Sequence, residues 1–241
     1  MNRSLISGML FLLVFAAQAQ TTDEIIEKHL EAMGGNAWES VKTMRMEAKI
    51  SAQVAAGMEI PMTITVINNR AARIDVSVMG MTQSSCVNGE KGWANNPFAG
   101  QMDAEPLSTE QVEEMKDMTD LGGSLYNYKA KGYSVEYVGT EDLEGTAVHK
   151  IKIVKSPYKT EYALIDHENW YQIKNITVAT VDGKEVTAET TYSDFRKEGS
   201  LVFPYTIEQN DPMMGASVTK VTVLKLNEPV DEKIFDMPAK K

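Results

Sequence analysis

Cysteine is almost missing from this sequence of 241 residues, because Cys86 is the only one. An internal disulfide is therefore impossible, and the chain needs a hydrophobic core that holds the fold without cross-links. Cys86 follows Ser84 and Ser85 in a stretch with strand character, where a thiol could serve as a nucleophile. A single cysteine on a strand is more often a small buried hydrophobic residue, and we favour that interpretation.

Basic residues are outnumbered, with 24 Lys and Arg against 34 Asp and Glu and a formal net charge of −10. No run of Lys and Arg follows one helix or strand. Nucleic acids and anionic membrane surfaces attract clustered positive charge, so this balance disfavours both as partners.

The common catalytic and cofactor-binding motifs are also missing, including Gly-x-Ser-x-Gly, His-Glu-x-x-His, the Walker loop and the Gly-rich dinucleotide turn. His29, His149 and His167 fall on a predicted helix, strand and turn with no shared spacing, which favours ordinary surface or structural histidines. Asp166-His167-Glu168 is explained by a solvated turn. We therefore predict no catalytic residue, no metal site and no cofactor.

One apolar run stands at the start of the chain, where Leu5–Ala17 follows Arg3 and precedes the small-x-small sequence Ala17-Gln18-Ala19. This is the pattern of a secretory signal peptide, residues 1–19, cleaved after Ala19. The run of 13 residues is short of the roughly 20 that a membrane-spanning helix needs. The residue directly after the cleavage site is Gln20 and not a cysteine, which argues against a lipid anchor. We expect an exported protein whose residues 20–241 form one domain, since no linker composition divides them.

The region 159–207 predicts an antiparallel meander. Lys159–Asp166 alternates between apolar and polar residues, and Trp170–Val181 and Lys184–Phe195 are rich in Ile, Val, Thr and Tyr. Asp182-Gly183 between the latter two is a strong hairpin signal, because a tight turn of this type needs positive φ at both central residues. Leu201–Gln209 supplies a fourth strand.

The rest of the chain adds strands and two helices. Val41–Gln53 and Ile60–Ile67 alternate cleanly, and a short amphipathic helix precedes Gly34-Gly35. Asn95–Pro106 is predicted as a loop, and Ser108 then caps a helix over Thr109–Leu121. About eleven strands with two or three helices suit one curved sheet better than two tight sandwich layers. The predicted fold class is α+β, mainly β, with a single antiparallel sheet.

Three segments resemble a known family. They are Tyr192–Arg196 with Phe203–Tyr205, the late sequence LNEPVDEKIFDMP at Leu226–Pro238, and the helix end at His29–Gly35. Together they look like the outer-membrane lipoprotein-sorting proteins, the LolA-like half-barrels, over nearly the whole mature chain. The resemblance implies a periplasmic open half-barrel with covering helices and a single domain. It would hold the acyl chains of a lipoprotein or lipid without catalysis, as a monomer that meets envelope membrane proteins.

The chain departs from that family at one position. The best-known carriers use a strand arginine near the start of the sheet to tie down the lid. The only candidate is Arg45, which alternates away from Met44 and Met46, so we do not assign it that role.

Methionine is abundant, at 15 residues. Ordinary core filling, a deformable apolar cavity and a Cu(I) site are the three interpretations, and the last is the weakest because nothing brings histidines near. For a cavity, we predict that the apolar lining includes Met44, Met46, Ile50, Met62, Ile64, Tyr162, Leu164 and Phe203. The predicted lid residues are Val112, Met115 and Met118.

Two other functions stay open at this point. One is a sensor or regulatory binding module on the same fold, which would act through a protein surface. The other is a hydrolase of lipid esters. The identity of any lipid or lipoprotein, and of the membrane proteins that load and unload it, is not encoded in these patterns.

Overall fold

The structure is a computed structural model that describes residues 22–53, 57–181, 183–212 and 215–240. The predicted signal peptide therefore lies outside the described residues, as do Asp182 and the Met213-Met214 pair. Within the described chain, no helix is both long and apolar enough to cross a membrane.

Strands dominate the described chain. They are β1 Thr43–Ala52, β2 Ile60–Ile67, β3 Ala71–Val78, β4 Met81–Asn88, β5 Lys91–Asn96, β6 Gln101–Pro106, β7 Ser134–Leu143, β8 Thr146–Ser156, β9 Lys159–Asp166, β10 Gln172–Val181, β11 Lys184–Glu198, β12 Leu201–Asp211 and β13 Gly215–Leu226. Helix α1 covers residues 22–32, and helix α2 covers Thr109–Lys116. Short 3-10 turns cover Gly35–Ser40, Pro97–Ala99, Asp117–Thr119 and Glu232–Phe235.

All thirteen strands belong to one sheet with the order β6-β5-β4-β3-β2-β1-β13-β12-β11-β10-β9-β8-β7. Only the pairing of β1 with β13 joins strands that are distant in sequence, and this pairing is antiparallel. Since β6 and β7 are edges, the sheet is open. The predicted class, an α+β open half-barrel on a single curved antiparallel sheet, is confirmed.

Two local predictions were wrong. The stretch predicted as a loop between Asn95 and Pro106 contains β6, which pairs with β5. The sequence also predicts that a closing segment at Ile234-Phe235 finishes the sheet, but this segment forms a 3-10 turn instead. The pairing of β10 with β11 has the expected register, because Val181 lies opposite Lys184, and Gly183 has a φ of 73°.

The chain divides into two compact units. Of the described residues, unit 1 contains 22–35, 124–193 and 209–212, and unit 2 contains 36–123, 194–208 and 215–240 with the gaps given above. In unit 1, α1 packs on one face of the sheet because Ile25 and Ile26 lie on its apolar side. The buried cluster formed there consists of Ile25, Ile26, Leu125, Ile151, Ile153, Ala163 and Ile165.

In unit 2, both faces of the sheet are covered. Val66, Ala72 and Val87 lie on the face that α2 covers through Val112. Ala71, Cys86 and Trp93 alternate to the other face, where they pack against Phe235 of the C-terminal segment. The sequence alternation of β3 to β5 therefore buries apolar residues on both sides.

The C-terminal segment is held by side chains of the sheet. Arg73 donates from Nη1 to the carbonyl of Ile234 at 2.7 Å. Trp93 donates from Nε1 to the carbonyl of Phe235 at 3.0 Å. The LNEPVDEKIFDMP sequence therefore has a structural role, because the carbonyl groups of its Ile234 and Phe235 are bound to the sheet.

The Asp194-Phe195-Arg196 sequence also has a structural role. Asp194 has a φ of 53°, and its carboxylate accepts from Nη2 of Arg196 at 2.6 Å. The Arg196 guanidinium lies over the ring of Tyr205 at 4.3 Å, and the Tyr205 hydroxyl donates to Glu198. This network fastens the β11–β12 hairpin.

Candidate functional site

An apolar face of unit 2 is the strongest candidate site. In the pairing of β1 with β2, Met44 lies opposite Val66 and Met46 lies opposite Ile64, and Ile50 follows opposite Ile60. Directly opposed residues share a face, so these side chains form a continuous surface. Arg45 lies on the other face, where it pairs with Glu47 at 3.1 Å.

Helix α2 lies on this face. Val112 is buried with an exposed fraction of 3%, and Met115 and Met118 are partly buried against the same cluster as Met44 and Ile64. The described helix ends at Lys116 and continues as a 3-10 turn, so it is shorter than the predicted range Thr109–Leu121. Only one turn of apolar side chains therefore anchors it firmly.

The two ends of the α2 segment are held differently. At the start, the Ser108 hydroxyl accepts from the Gln111 N–H, and the Gln111 side chain accepts from the Ser108 N–H, which completes a capping box. At the end, Asn69 donates its N–H to the carbonyl of Thr119 at 2.8 Å. Leu121 donates to the Asn68 side chain at 3.2 Å. The C-terminal end is thus tied to the β2–β3 turn.

A cavity of about 340 Å³ lies beside the first turn of α2. Val112, Leu107 and Gly92 line one part of it, and Trp93 and Phe235 line another. Gly92 permits the close approach of α2, because a Cβ there would lie 3.2 Å from Val112 Cγ2 and 2.8 Å from Cδ1 of Leu107, just before the helix. Of the predicted lining and lid residues, Val112 alone borders this cavity.

The structure brings five of the predicted residues into one cluster of unit 2: Met44, Ile64, Val112, Met115 and Met118. Met46, Ile50 and Met62 continue the same face along β1 and β2 and are half-buried. Phe203 packs instead against Trp38, with ring centroids 5.1 Å apart.

Tyr162 and Leu164 belong to unit 1. Ala163 and Ile165 pack under α1, so alternation places Tyr162 and Leu164 on the opposite face of β9. There Lys150 Nζ lies over the ring of Tyr162 at 5.2 Å. Tyr162 and Leu164 therefore have basic neighbours on their face of β9. The residues on the other face pack in the apolar cluster under α1.

A buried ion pair in unit 1 was missed by sequence reasoning. Lys155 and Glu161 approach to 3.2 Å with side-chain exposures of 9% and 10%, and Ser124 donates its hydroxyl to Glu161 at 2.6 Å. Burial, with a smaller effect of the Glu161 charge, raises the pKa of Tyr192 to about 12. The only sequence signal was the Glu161 carboxylate among apolar strand residues.

The three histidines, which share no sequence spacing, converge in unit 1. The His149 ring stacks on His167 with centroids 3.7 Å apart and on Trp170 at 5.1 Å. His29 is buried and its Nδ1 lies 2.8 Å from the Trp170 carbonyl oxygen. The sequence predicted surface or structural histidines, but nothing in their spacing indicated that they would meet. Among the described residues, no group of three or more His, Cys, Asp and Glu side chains has a geometry that could hold a metal ion.

Cys86 is fully buried, as its strand position predicted. Burial raises the pKa of its thiol to about 12, and Sγ lies 3.4 Å from the Phe235 carbonyl oxygen. A thiol with this pKa stays protonated near neutral pH, so it is a poor nucleophile.

No family model matches the chain, and no curated protein matches it. Solved structures do. One described as an outer membrane lipoprotein-sorting protein domain from Vibrio parahaemolyticus has a TM-score of 0.61 at 12% identity, covering 90% of this chain and 97% of that one. A LolA superfamily protein from Nitrosomonas europaea has a TM-score of 0.57 at 15% identity, covering 89% and 97%.

A third similar structure is a DUF1329 family protein from Desulfovibrio piger, with a TM-score of 0.54 at 10% identity and coverage of 89% and 97%. Identities this low establish similarity of architecture alone. The similarity nevertheless covers 89–90% of this chain, in agreement with the extent of the sequence resemblance. The protein therefore has the LolA-like fold.

Proposed function

We propose that this protein is a periplasmic binding protein that holds acyl chains of a lipid or lipoprotein against the apolar face of unit 2, without a chemical step. The supporting observation is the half-buried methionine and isoleucine surface of β1 and β2 under helix α2. Unbranched thioether side chains adapt to varied apolar partners. Similarity to lipoprotein-sorting structures adds support at the level of the fold.

Because α2 packs on this face through Val112, Met115 and Met118, we infer that α2 moves when a ligand enters. A sixteen-carbon chain gains roughly 12 kcal/mol when fully buried, at ~0.8 kcal/mol per CH₂. Exposing Val112 and the two partly buried methionines costs about 5 kcal/mol on the same scale. The ligand therefore gains enough to displace the helix.

The proposed periplasmic location rests on the predicted signal peptide. A soluble carrier of this kind would contact the membrane proteins that load lipid onto it and take lipid from it. We propose that it does so as a monomer.

The most direct test is native purification from the periplasm, followed by mass spectrometry of extracted lipid. Recovery of acyl lipid in about equal molar amount supports the proposal. A stable protein partner without lipid, or turnover of an ester, contradicts it.

A matched pair of variants localises the site. Met62→Asn places an amide on the proposed face, and Thr63→Asn places the same amide on the other face of β2. Titration with a fluorescent fatty acid should show affinity at least about tenfold weaker for Met62→Asn, equal to about 1.4 kcal/mol. Thr63→Asn should bind as the wild type does. Equal affinities for both variants would contradict the assignment of this face.

A further inference from the structure

The apolar face of unit 2 changes character along one row of paired residues that runs across the strands. Directly opposed residues share a face, so the register of consecutive strand pairs defines this cross-strand row. Its members, in order from β1 to β6, are Met46, Ile64, Ile74, Ser85, Ala94 and Glu105. The row is apolar on β1 to β3 and becomes polar from β4 onward.

The cross-strand row lies directly beside the part of the sheet that α2 covers. Ser85 is two residues from Val87 on β4, and Val87 packs in one cluster with Val112 of the helix. Neighbouring strands are about 4.8 Å apart, so Ser85 lies about 14 Å from Met46 along the row. The two leaflets of a bilayer share a hydrocarbon core about 30 Å thick, so one acyl chain spans roughly 15 Å. The apolar part of the row therefore matches the length of one chain.

Two half-buried polar side chains, Ser85 and Gln83, interrupt this face on β4. Gln83 lies opposite Val76 of β3, as Ser85 lies opposite Ile74. Within the described residues, neither side chain makes a hydrogen bond. Binding sites for small molecules are mostly apolar, with a few polar groups that fix the orientation of the ligand. Ser85 and Gln83 have the character of such groups, because both can donate a hydrogen bond.

The polar residues on the other face of β4 are paired within the protein. Ser84 donates its hydroxyl to Asp75 at 2.6 Å. The Thr82 hydroxyl lies 2.9 Å from that of Ser77. Unused hydrogen-bonding capacity on this strand is therefore confined to the face of the proposed acyl site.

The charges around the row favour a ligand group without negative charge next to Ser85. Glu105 lies two strands further along the row, about 10 Å away. Arg73 of β3 and Lys91 of β5 alternate to the other face, where Arg73 lies over the Trp93 ring at 5.2 Å. A carboxylate beside Ser85 would meet a like charge at a distance that dilute salt does not screen. An ester carbonyl accepts the same hydrogen bonds and carries no charge.

We propose that Ser85 and Gln83 bind the ester carbonyl of an acylated ligand, whose chain lies across β3 and β2 towards Met46. The assignment rests on the proposed acyl site and specifies its ligand as an acyl ester in place of a free fatty acid. The two residues stand about 7 Å apart along β4, and the longer Gln83 side chain extends towards Ser85. Both donate to the carbonyl oxygen, which has two lone pairs. They determine specificity, and no bond of the ligand breaks.

The first test compares two probes on the mature protein, a pyrene-labelled palmitate methyl ester and the matching alkane without a carbonyl group. Ser85→Ala with Gln83→Met should weaken binding of the ester about tenfold, because two hydrogen bonds are lost. The alkane should bind this double variant as it binds the wild type. The matched control is Thr82→Ala with Ser77→Ala, which removes two hydroxyl groups from the other face and should change neither affinity. Ser85→Thr keeps the hydroxyl and should keep the affinity for the ester.

A second measurement observes the carbonyl group itself. The infrared stretch of an ester labelled with carbon-13 at the carbonyl should move to lower frequency on binding to the wild type, and this shift should be lost in the Ser85→Ala, Gln83→Met variant. The wild type should also bind the ester more tightly than the matching free acid. Glu105→Gln should narrow that difference at least about twofold at low ionic strength.

The outcomes separate this assignment from the acyl site on which it rests. If neither probe binds the wild type, the acyl site itself is wrong. If both probes bind but the double variant keeps its affinity for the ester, or loses affinity for both probes equally, Ser85 and Gln83 do not hold the carbonyl. A carbonyl frequency that stays constant on binding would overturn the assignment too. Tighter binding of the free acid than of the ester would reject the acyl ester as the ligand.

Discussion

The imidazole rings of His149 and His167 stack with their centroids 3.7 Å apart. The stacked ring shields one face of the His149 imidazole from water, which disfavours the charged form of His149. Burial, the neighbouring His167 and Lys28 together lower the pKa of His149 to about 4, with burial the largest cause. His167 Nε2 is buried without a hydrogen-bond partner, and burial also lowers the pKa of His29.

These histidines predict a pH-dependent stability. The folded pKa of His149 is about 4 and its ordinary value is 6.5, so the unfolded chain binds more protons between these limits. The free energy of unfolding should therefore fall as the pH falls below about 6.5, and this contribution should level off below about 4. Urea unfolding from about pH 7.5 to about pH 5, above the ordinary pKa values of Asp and Glu, measures it.

The variant His149→Phe provides the control, since it keeps an aromatic ring in the stack and removes one titrating group. Its stability should depend less on pH over the same window. An equal slope in the variant and the wild type would show that His149 does not carry the effect. Paired carboxylates do not interfere, because the pKa of Asp23 and that of Asp194 are lowered from 3.8, mainly by hydrogen bonds with Tyr128 and Arg196 respectively.

The histidine cluster shows where sequence reasoning stops. The strands that bear His149 and the turn that bears His167 were predicted from local alternation and turn residues. Their proximity depends on the β8–β9 register, in which His149 lies opposite Ile165, and on the left-handed conformation of Trp170, whose φ is 64°. Neither is encoded in a spacing, so the convergence of the three histidines could not be predicted from the sequence.

The buried pair of Lys155 and Glu161 yields a second prediction. Glu161→Gln keeps an acceptor for the Ser124 hydroxyl but removes the carboxylate charge that lies 3.2 Å from the buried Lys155 ammonium. Removing one partner of a buried pair typically costs about 3–5 kcal/mol. Chemical denaturation should show a destabilisation of this size.

The exposed pair of Lys49 and Glu59 is the matched control. Its atoms approach to 2.6 Å, closer than in the buried pair, but its side chains are 52% and 60% exposed. Glu59→Gln should leave the unfolding midpoint nearly unchanged, because solvent screens exposed pairs. Similar losses for both variants would show that burial of the Lys155–Glu161 pair does not set its contribution.

Gly92 gives a third prediction, on the packing of α2. A Cβ at this position would lie 2.8 Å from a backbone oxygen of Cys86, which cannot rotate away as a side chain can. Gly92→Ala should therefore destabilise the protein by about 1–3 kcal/mol through overpacking. It should also change ligand affinity, because Val112 Cγ2 lies 3.2 Å from the same Cβ position and α2 would shift. An unchanged thermal melt would contradict the close approach seen here.

The fold was more predictable than the site, for a physical reason. Alternation along β1 and β2 and the Asp182-Gly183 hairpin signal are local, and each strand pairs with its neighbour in sequence except where β1 meets β13. Strand β6 was missed because Pro106 and the short polar sequence before it suggest a loop. The apolar face was predicted where one strand pair carries it, as for Met46 and Ile64. Residues on distant strands, such as Phe203 and Tyr162, acquired different neighbours.

The last prediction concerns α2 as a lid. Val112 is 3% exposed and packs beside Val66 and Ala72, whereas Met115 and Met118 are only partly buried at the margin of the same cluster. Met115→Asp with Met118→Asp should weaken fatty-acid binding at least about tenfold while lowering the melting temperature little, because both carboxylates can reach solvent. Val112→Asp should instead cost about 3 kcal/mol or more, since it buries an unpaired charge.

The control for this lid is Glu114→Gln, which changes a charge on the exposed side of α2 and should alter neither curve. Thermal melts and ligand titrations on the same preparations separate the outcomes. If the double methionine variant melts at a much lower temperature, all of α2 belongs to the hydrophobic core. Displacement of α2 would then require unfolding of the cluster. If the double methionine variant keeps both its affinity and its melting temperature, α2 is not part of the binding site. A lid that carries charges on its apolar edge would bind an acyl chain less well.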